Sequence, residues 1–194
     1  MIKLSGPKKI NTAVFISGKG SNLKNLIKFS LKKKSKFTVN LIISNNPKAK
    51  GLSYAKKFKI KKKIIGSTQT KNTDKNILAE LKKNKIKLIC LAGFMKILSK
   101  DLIKNFNGKI INIHPSLLPK YKGLNTHQRA INNNEKYSGC TVHYVNSKLD
   151  SGKIILQKKI KIFKNDTAKN LAKRVLKQEH ILYPKALNTI LTNL

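Results

Sequence analysis

Arginine is nearly absent from this chain of 194 residues: its 43 basic side chains include only two guanidinium groups, Arg129 and Arg174. Acidic residues number only 7, which leaves a formal charge of +36. A polyanion partner such as RNA is one account of that charge. The shortage of arginine argues against a dedicated site, because the planar guanidinium is the group that reads bases and phosphates bidentately. Aromatics are scarce too, at 6%. The lysines are spread over most helical segments without the interleaved stacking residues that single-stranded nucleic acid uses. Isoleucine and asparagine are abundant, which fits compositional drift in an A/T-rich genome. Drift is the favoured account, and no specific nucleic-acid partner is expected.

There are two cysteines, Cys90 and Cys140, and no C-x-x-C pair. That spacing speaks against zinc or a redox motif and reads as two reduced core thiols in a cytoplasmic protein. No apolar run approaches the ~18 residues of a membrane span. The opening MIKLSGPKKI lacks the apolar centre of a signal peptide. Neither a membrane partner nor export is expected. Hydrophobic residues make up 40% of the chain, and its length suits one well-buried domain.

Strand-like and helix-like segments alternate along the sequence. Ala13–Ile16 reads as a strand, followed by SGKGSN and a helix from Ser21 to about Lys32. Thr38–Ile43 reads as a second strand, broken at Asn45-Asn46-Pro47, with a helix to about Lys59 and a short third strand at Ile64-Ile65. Apolar spacing at Ile77, Leu78 and Leu81 marks a helix over 76–83. The run IKLICLA (86–92) has the continuous apolarity of a strand covered on both faces. Ser99 is placed to cap a short helix, and KIINI (109–113) is the next strand. Strands at Cys140–Val145 and Ile154–Gln157 precede a long helix from near Thr167, with Pro184 as a kink. The alternation predicts an α/β, Rossmann-like fold: a mostly parallel twisted sheet with helices on both faces, in a single domain.

Ligands of such sheets bind beyond the carboxyl ends of the strands. Three polar features fall there. SGKGSN (17–22) is a glycine loop opening a helix, suited to a phosphate held by free backbone N–H groups. It matches neither G-x-G-x-x-G nor a P-loop, and an ordinary βα turn capped by Ser21 or Asn22 is the plainer alternative. Met95-Lys96 follows the IKLICLA strand. Asn112 and His114 close their own strand, two residues apart, so both side chains leave on the same side. They are either two satisfied strand-end polar groups or an amide and an imidazole aimed at one reacting atom. Asp150 sits in KLDSGK between two strands, as a turn former or as a carboxylate that holds and charges a histidine.

SGKGSN, LAGFMKILS (91–99), NIHPSLLPKYKG (112–123), SGCTVHYV (138–145), LDSGKIILQ (149–157) and QEHILYP (178–184) occur in one order and spacing. Together they resemble glycinamide ribonucleotide formyltransferase, a folate-dependent family of purine synthesis. The resemblance runs over 11–194 and leaves residues 1–10 as an N-terminal extension. It implies formyl transfer from 10-formyltetrahydrofolate, a co-substrate, to the amine of glycinamide ribonucleotide, with no metal, in a monomer or homodimer. It implies a catalytic trio of Asn112, His114 and Asp150. Asn112 donates to the tetrahedral oxyanion. His114, as imidazolium, adds charge and gives a proton. Asp150 raises the proton affinity of His114. Gly20, Ser21, Asn22, Leu23, Lys24 and Glu179 match the ribonucleotide segment. Met95, Lys96, Ile97 and Leu98 match the folate pocket, as do Asn146, Ser147, Lys148 and Leu149. Two positions depart from many relatives: Lys96 where arginine is common, and Ser151 where a small Gly or Ala is common. His127, His143 and His180 carry no evident chemical role, and His143 reads as packed within its strand.

Two enzymes share parts of this pattern. Formyltetrahydrofolate deformylase has a related Asn-x-His and Asp set with water as acceptor, but relatives usually add an N-terminal regulatory domain for which no room is expected here. Methionyl-tRNA formyltransferase has a related SLLP segment and normally adds a C-terminal tRNA-binding domain. The charge generates a test. Both implied substrates are anionic, so a positive surface raises their local concentration, screened over roughly 8 Å at physiological salt. Apparent affinity for both is expected to fall as salt rises, while turnover at saturation holds. RNA is expected to bind weakly, with a steep salt slope and no sequence preference. A clear preference for initiator tRNA over random RNA of equal length, in binding at physiological salt, overturns this reading.

Overall fold

The computed structural model describes residues 9–66 and 71–192. Most of the expected N-terminal extension, residues 1–8, lies outside the described residues. One sheet of seven strands organises the fold, in the order β3-β2-β1-β4-β5-β6-β7. The strands are β1 (Ile10–Ile16), β2 (Phe37–Ser44), β3 (Lys61–Ile64), β4 (Leu88–Leu91), β5 (Lys109–His114), β6 (Tyr137–Tyr144) and β7 (Ile154–Lys161). The pairs from β3 through β5 are parallel. The pairs β5–β6 and β6–β7 are antiparallel. β1 begins at Ile10, one residue before the expected domain start. β3 begins earlier than the expected Ile64-Ile65 strand: its residues KKKI are all exposed, so no apolar pattern marks it. Charged side chains on such an edge discourage pairing with another chain.

Alternation along the strands divides the apolar residues between two layers. Val14, Ile16, Ile42, Cys90, Ile111, Ile113, Cys140 and Val142 face one way, against α1 (Ser21–Ser30) and α6 (Ala168–Thr192). Ala13, Phe15, Leu41, Ile43, Ile89, Leu91 and Ile110 face the other way, against α3 (Lys71–Lys83) and α4 (Lys100–Asn105). The expected helix after Pro47 is a 3-10 turn (Lys50–Leu52) running into the short α2 (Ser53–Lys57). A further helix, α5 (Thr126–Asn132), follows β5. Ser99 caps α4 as expected, its hydroxyl accepting from the Leu102 amide at 2.9 Å. Both cysteines are buried free thiols, and burial pushes Cys140 up to about 12.

Pro184 lies inside α6, and the helix continues past it. A proline there deprives the carbonyl four residues earlier of its helical donor. That carbonyl belongs to His180, and the Asn25 side-chain amide supplies the missing bond at 2.6 Å. The adjacent Tyr183 is fully buried, and its hydroxyl lies 3.0 Å from the Leu91 carbonyl and 3.3 Å from that of Ile111. One phenol thus ties the helix to the carboxyl ends of β4 and β5, where the polar strand-end groups project.

Tyr183→Phe keeps the ring and removes the phenol's hydrogen bond to the strand ends. It is expected to lower stability by about 0.5–1.5 kcal/mol. In urea denaturation the midpoint falls while the slope stays constant.

Candidate active site

The chain order leaves a crevice where β1 and β4 lie side by side, because connections from these strands depart in opposite directions across the sheet. Two loops line it. The loop after β1 is held to the loop after β4 by the Ser17 amide donating to the Gly93 carbonyl at 3.0 Å and the Met95 amide donating to Ser17 Oγ at 2.8 Å. Ser17 Oγ in turn donates to Asn45 Oδ1 at 2.6 Å. Gly20, not Ser21 or Asn22, is the N-cap of α1, in the left-handed conformation at φ 71°, with no side-chain cap on the first turn. A Cβ at Gly20 would stand 2.8 Å from the Gly51 Cα. The close approach that demands glycine is therefore to the chain itself.

Asn22 and Glu179 meet across α1 and α6, the Asn22 amide donating to Glu179 Oε2 at 2.6 Å. Both are buried. Burial raises the Glu179 carboxyl above its ordinary range, and the Asn22 hydrogen bond opposes that shift. Asn22 Oδ1 is buried beside this pair with no partner among the described residues. A buried orphan acceptor costs about 1–3 kcal/mol, which a ligand hydroxyl or amine would relieve.

Asn112 and His114 leave β5 on the α3 and α4 face, beyond the last apolar side chain of that layer. Antiparallel pairing sets His143 of β6 opposite Asn112, and Thr141 opposite His114. Asp150 comes in from the loop between β6 and β7, at φ 43°. Its Oδ2 lies 3.4 Å from His114 Nδ1 and accepts from the Gly123 amide at 2.9 Å. Its Oδ1 lies 3.4 Å from Asn112 Nδ2 and 3.7 Å from His143 Nε2. Burial pushes the Asp150 carboxyl up. The His143 contact, the Gly123 amide and the two imidazoles outweigh burial and bring it below the ordinary carboxylate value. Asp150 is thus ionised at neutral pH.

His114 Nε2 is 2.9 Å from the Tyr121 carbonyl. A carbonyl only accepts, so Nε2 carries a hydrogen and Nδ1 is the nitrogen that exchanges a proton. Burial lowers the pKa of His114, while the Tyr121 carbonyl and the Asp150 charge raise it by less. Asp150 acts in the expected direction, and burial wins in the free protein.

The other expected residues divide. Met95 and Ile97 are exposed on the loop after β4, but Leu98 is buried in the core with Leu102 and Ile77. Leu98 therefore has only its backbone to offer a ligand. Asn146 Oδ1 accepts from the Lys148 amide at 3.0 Å within the loop that carries Asp150. Leu149 is half exposed on the same loop, across from Gly123. Lys24 stands over the Tyr54 ring, 5.9 Å from its centroid. Ser151 takes a hydrogen bond from Lys122 at 2.6 Å, joining the loop after β5 to the Asp150 loop. His143 is buried as expected, but its Nε2 faces Asn112 and Asp150, a role that its packed position alone does not reveal. The signal was present as T-V-H, which repeats on β6 the two-residue spacing of N-I-H on β5. His127 is half-buried on α5, and burial, then the His114 charge, lowers its pKa. No group of three His, Cys, Asp or Glu among the described residues could hold a metal ion. No helix among them is long and apolar enough to cross a membrane. A hollow of about 500 Å³ between Thr38, Asn40, Ile60 and Asn84 lies at the opposite end of the strands and touches none of these groups.

A model of the formyl transferase family matches residues 10–187. The chain is 38% identical to phosphoribosylglycinamide formyltransferase of Escherichia coli (strain K12) over 178 residues, which cover 90% of this chain and 84% of that protein. It is 40% identical over 186 residues to the human trifunctional purine biosynthetic protein adenosine-3, spanning 94% of this chain but only 18% of that much longer relative. The crystal structure of phosphoribosylglycinamide formyltransferase from Anaplasma phagocytophilum is similar with a TM-score of 0.90 and 40% identity, covering 96% of this chain and 88% of that one. The chain belongs to the formyl transferase family, in its phosphoribosylglycinamide formyltransferase branch.

Proposed function

We propose that the protein moves a formyl group from 10-formyltetrahydrofolate to the amine of glycinamide ribonucleotide, in a single domain over 11–194. The observation that carries this reading is the convergence of the Asn112 amide, the His114 Nδ1 and the Asp150 carboxylate at the end of β5, at the same end of the sheet as a glycine-opened helix N-terminus. The amine attacks the formyl carbon and a C–N bond forms. The carbonyl electron pair moves onto oxygen, giving a tetrahedral oxyanion. Asn112 Nδ2 donates to that oxygen. Imidazolium His114 adds positive charge, and its Nδ1 proton passes to the departing folate nitrogen as the old C–N bond breaks. Asp150, through a water, takes the proton the amine loses.

Binding follows the same layout. The amides of Gly20, Ser21 and Asn22 at the start of α1 suit the ribonucleotide phosphate, with Leu23 and Lys24 alongside. The Glu179 carboxyl and the orphaned Asn22 Oδ1 suit sugar hydroxyls. Met95, Lys96, Ile97 and the Leu98 backbone, with Asn146, Ser147, Lys148 and Leu149, form the folate side. No metal takes part in these steps.

His114→Ala is expected to lose most turnover in a folded protein, and Asn112→Ala to lose on the order of 10²–10³ in rate. Asp150→Asn removes a charge that raises the His114 pKa. The imidazolium then persists only to lower pH, so the His114 limb of the kcat/KM profile moves toward acid and activity at neutral pH falls. Near-normal turnover in both His114→Ala and Asp150→Asn refutes the trio. Offering glycinamide ribonucleotide, water or charged initiator tRNA as acceptor decides among the three chemistries.

Gly20→Val forces a side chain into the Gly51 backbone and into a left-handed conformation. It is expected to weaken glycinamide ribonucleotide binding far more than folate binding in calorimetry. Equal losses for both ligands instead indicate a misfolded loop or a phosphate site elsewhere.

A further inference from the structure

Asn112 can serve an oxyanion only if its amide nitrogen, and not its oxygen, points into the site. Nothing in a strand end dictates that choice, because the two faces of a carboxamide are nearly isosteric. We infer that His143 is the positioning residue that sets it, by accepting a hydrogen bond from Asn112 Nδ2 with an imidazole nitrogen that cannot donate. This rests on the assignment of Asn112 as oxyanion donor.

Three contacts carry the inference. His143 Nδ1 lies 2.8 Å from the Tyr144 carbonyl. That carbonyl only accepts, so Nδ1 holds the hydrogen, and the inferred tautomer keeps a lone pair on Nε2. Asn112 Nδ2 sits 3.2 Å from Nε2, while Asp150 Oδ1, an acceptor, stands farther off at 3.7 Å. The second neighbour of Nδ2 is Asp150 Oδ1 at 3.4 Å, an ionised carboxylate and so also an acceptor. Flipping the amide would set its oxygen against a lone pair and a carboxylate at once. The two bonds are not equal. The Asp150 contact is at the limit of a hydrogen bond, so its N–H is the one free to turn toward a developing oxyanion. The His143 bond is the one that stays.

The fold makes the contact hard to avoid. Asn112 and His143 are direct cross-strand partners, so their side chains leave the sheet on one side. The β6–β7 register shifts between Val142 and His143, the position at which β6 turns from its core-packing Val142 to the site. His143 is 2% exposed, so water does not compete for Nε2.

The test reads kcat apart from KM. His143→Leu removes the acceptor and is expected to lower kcat on the order of 10- to 100-fold, less than loss of the donor itself, with KM for both substrates nearly unchanged. His143→Gln places an amide oxygen where Nε2 was and is expected to restore most of kcat. In an Asn112→Ala background, His143→Leu is expected to cost little more, because the two act through one bond. Long-range proton–nitrogen NMR of the unaltered protein is expected to show a protonated Nδ1 and a bare Nε2. A bare Nδ1, a folded His143→Leu with wild-type kcat, a Gln variant as poor as Leu, or fully additive losses would each overturn the inference. Full turnover in Asn112→Ala would instead overturn the oxyanion assignment beneath it.

Discussion

One nearly buried carboxylate organises the site. Asp150 is in reach of His114, His143, Asn112 and the Gly123 amide. They arrive on three elements: His114 and Asn112 at the end of β5, His143 on β6, and Gly123 in the loop after β5. An ionised carboxylate away from water needs partners that donate or carry positive charge. The Gly123 and Asn112 amides and His114 answer that need, and in doing so they fix the geometry of the amide and the imidazole. The left-handed backbone of Asp150 and the glycine at 152 bring the carboxylate inward. A Cβ at Gly152 would fall 1.6 Å from the Tyr144 carbonyl, so the turn can close only with glycine there.

Two strand pairings then decide which side chains share the space. Parallel pairing of β4 and β5 sets Leu91, the last residue of β4, beside Asn112, so that His114 lies two residues beyond the end of β4. Tyr183 ties those ends from the opposite layer. Antiparallel pairing of β5 with β6 brings a second pair of polar residues, Thr141 and His143, alongside the first. Thr141 spends its hydroxyl on the Ser116 carbonyl at 2.7 Å, and so shapes the loop that follows His114. That loop returns Tyr121, whose carbonyl fixes the tautomer of His114. The chemistry of the trio thus depends on residues that never face a substrate.

Much of this was legible in the sequence. Local signals are strong where burial is strong: LICL, FTVNLIIS and KIINIH are apolar because they are central strands. The Asn112 and His114 spacing gave a shared direction, and Asp150 stood out as a rare acid in a turn. What stayed hidden depends on distant partners. The edge strand KKKI has no buried face to impose a pattern. The antiparallel register of β6 cannot be read from β6, so His143 read as core. Gly20 suggested approach by a ligand, yet its nearest constraint is Gly51, on another loop. Net proton affinity was hidden as well. The sign of the Asp150 effect on His114 follows from charge alone, but burial, which outweighs it, exists only in the fold.

The charge imbalance, set against these contacts, shows where composition was free to vary. Six of the seven acids occupy defined places by their side chains: Asp74 takes the Ser99 hydroxyl, Glu80 the Asn84 amide, Glu135 both Lys120 and the Tyr121 hydroxyl, Asp166 the guanidinium of Arg174, Glu179 the Asn22 amide, and Asp150 the site itself. The seventh, Asp101, stands in the first turn of α4, where a negative charge meets the helix dipole. The two arginines follow the same rule. Arg174 grips Asp166 with two nitrogens at 2.5 and 2.6 Å and lies over the Phe163 ring, while Arg129 donates to the Lys122 and Leu124 carbonyls and lies over Tyr121. A lysine has neither the fork nor the plane to do this. Acid and guanidinium stand where geometry requires them, whereas lysines divide between fixed contacts, such as Lys120 on Glu135 and Lys122 on Ser151, and exposed positions. The fixed places of the acids and guanidinium groups set them apart from the lysines, whose number makes the +36 charge.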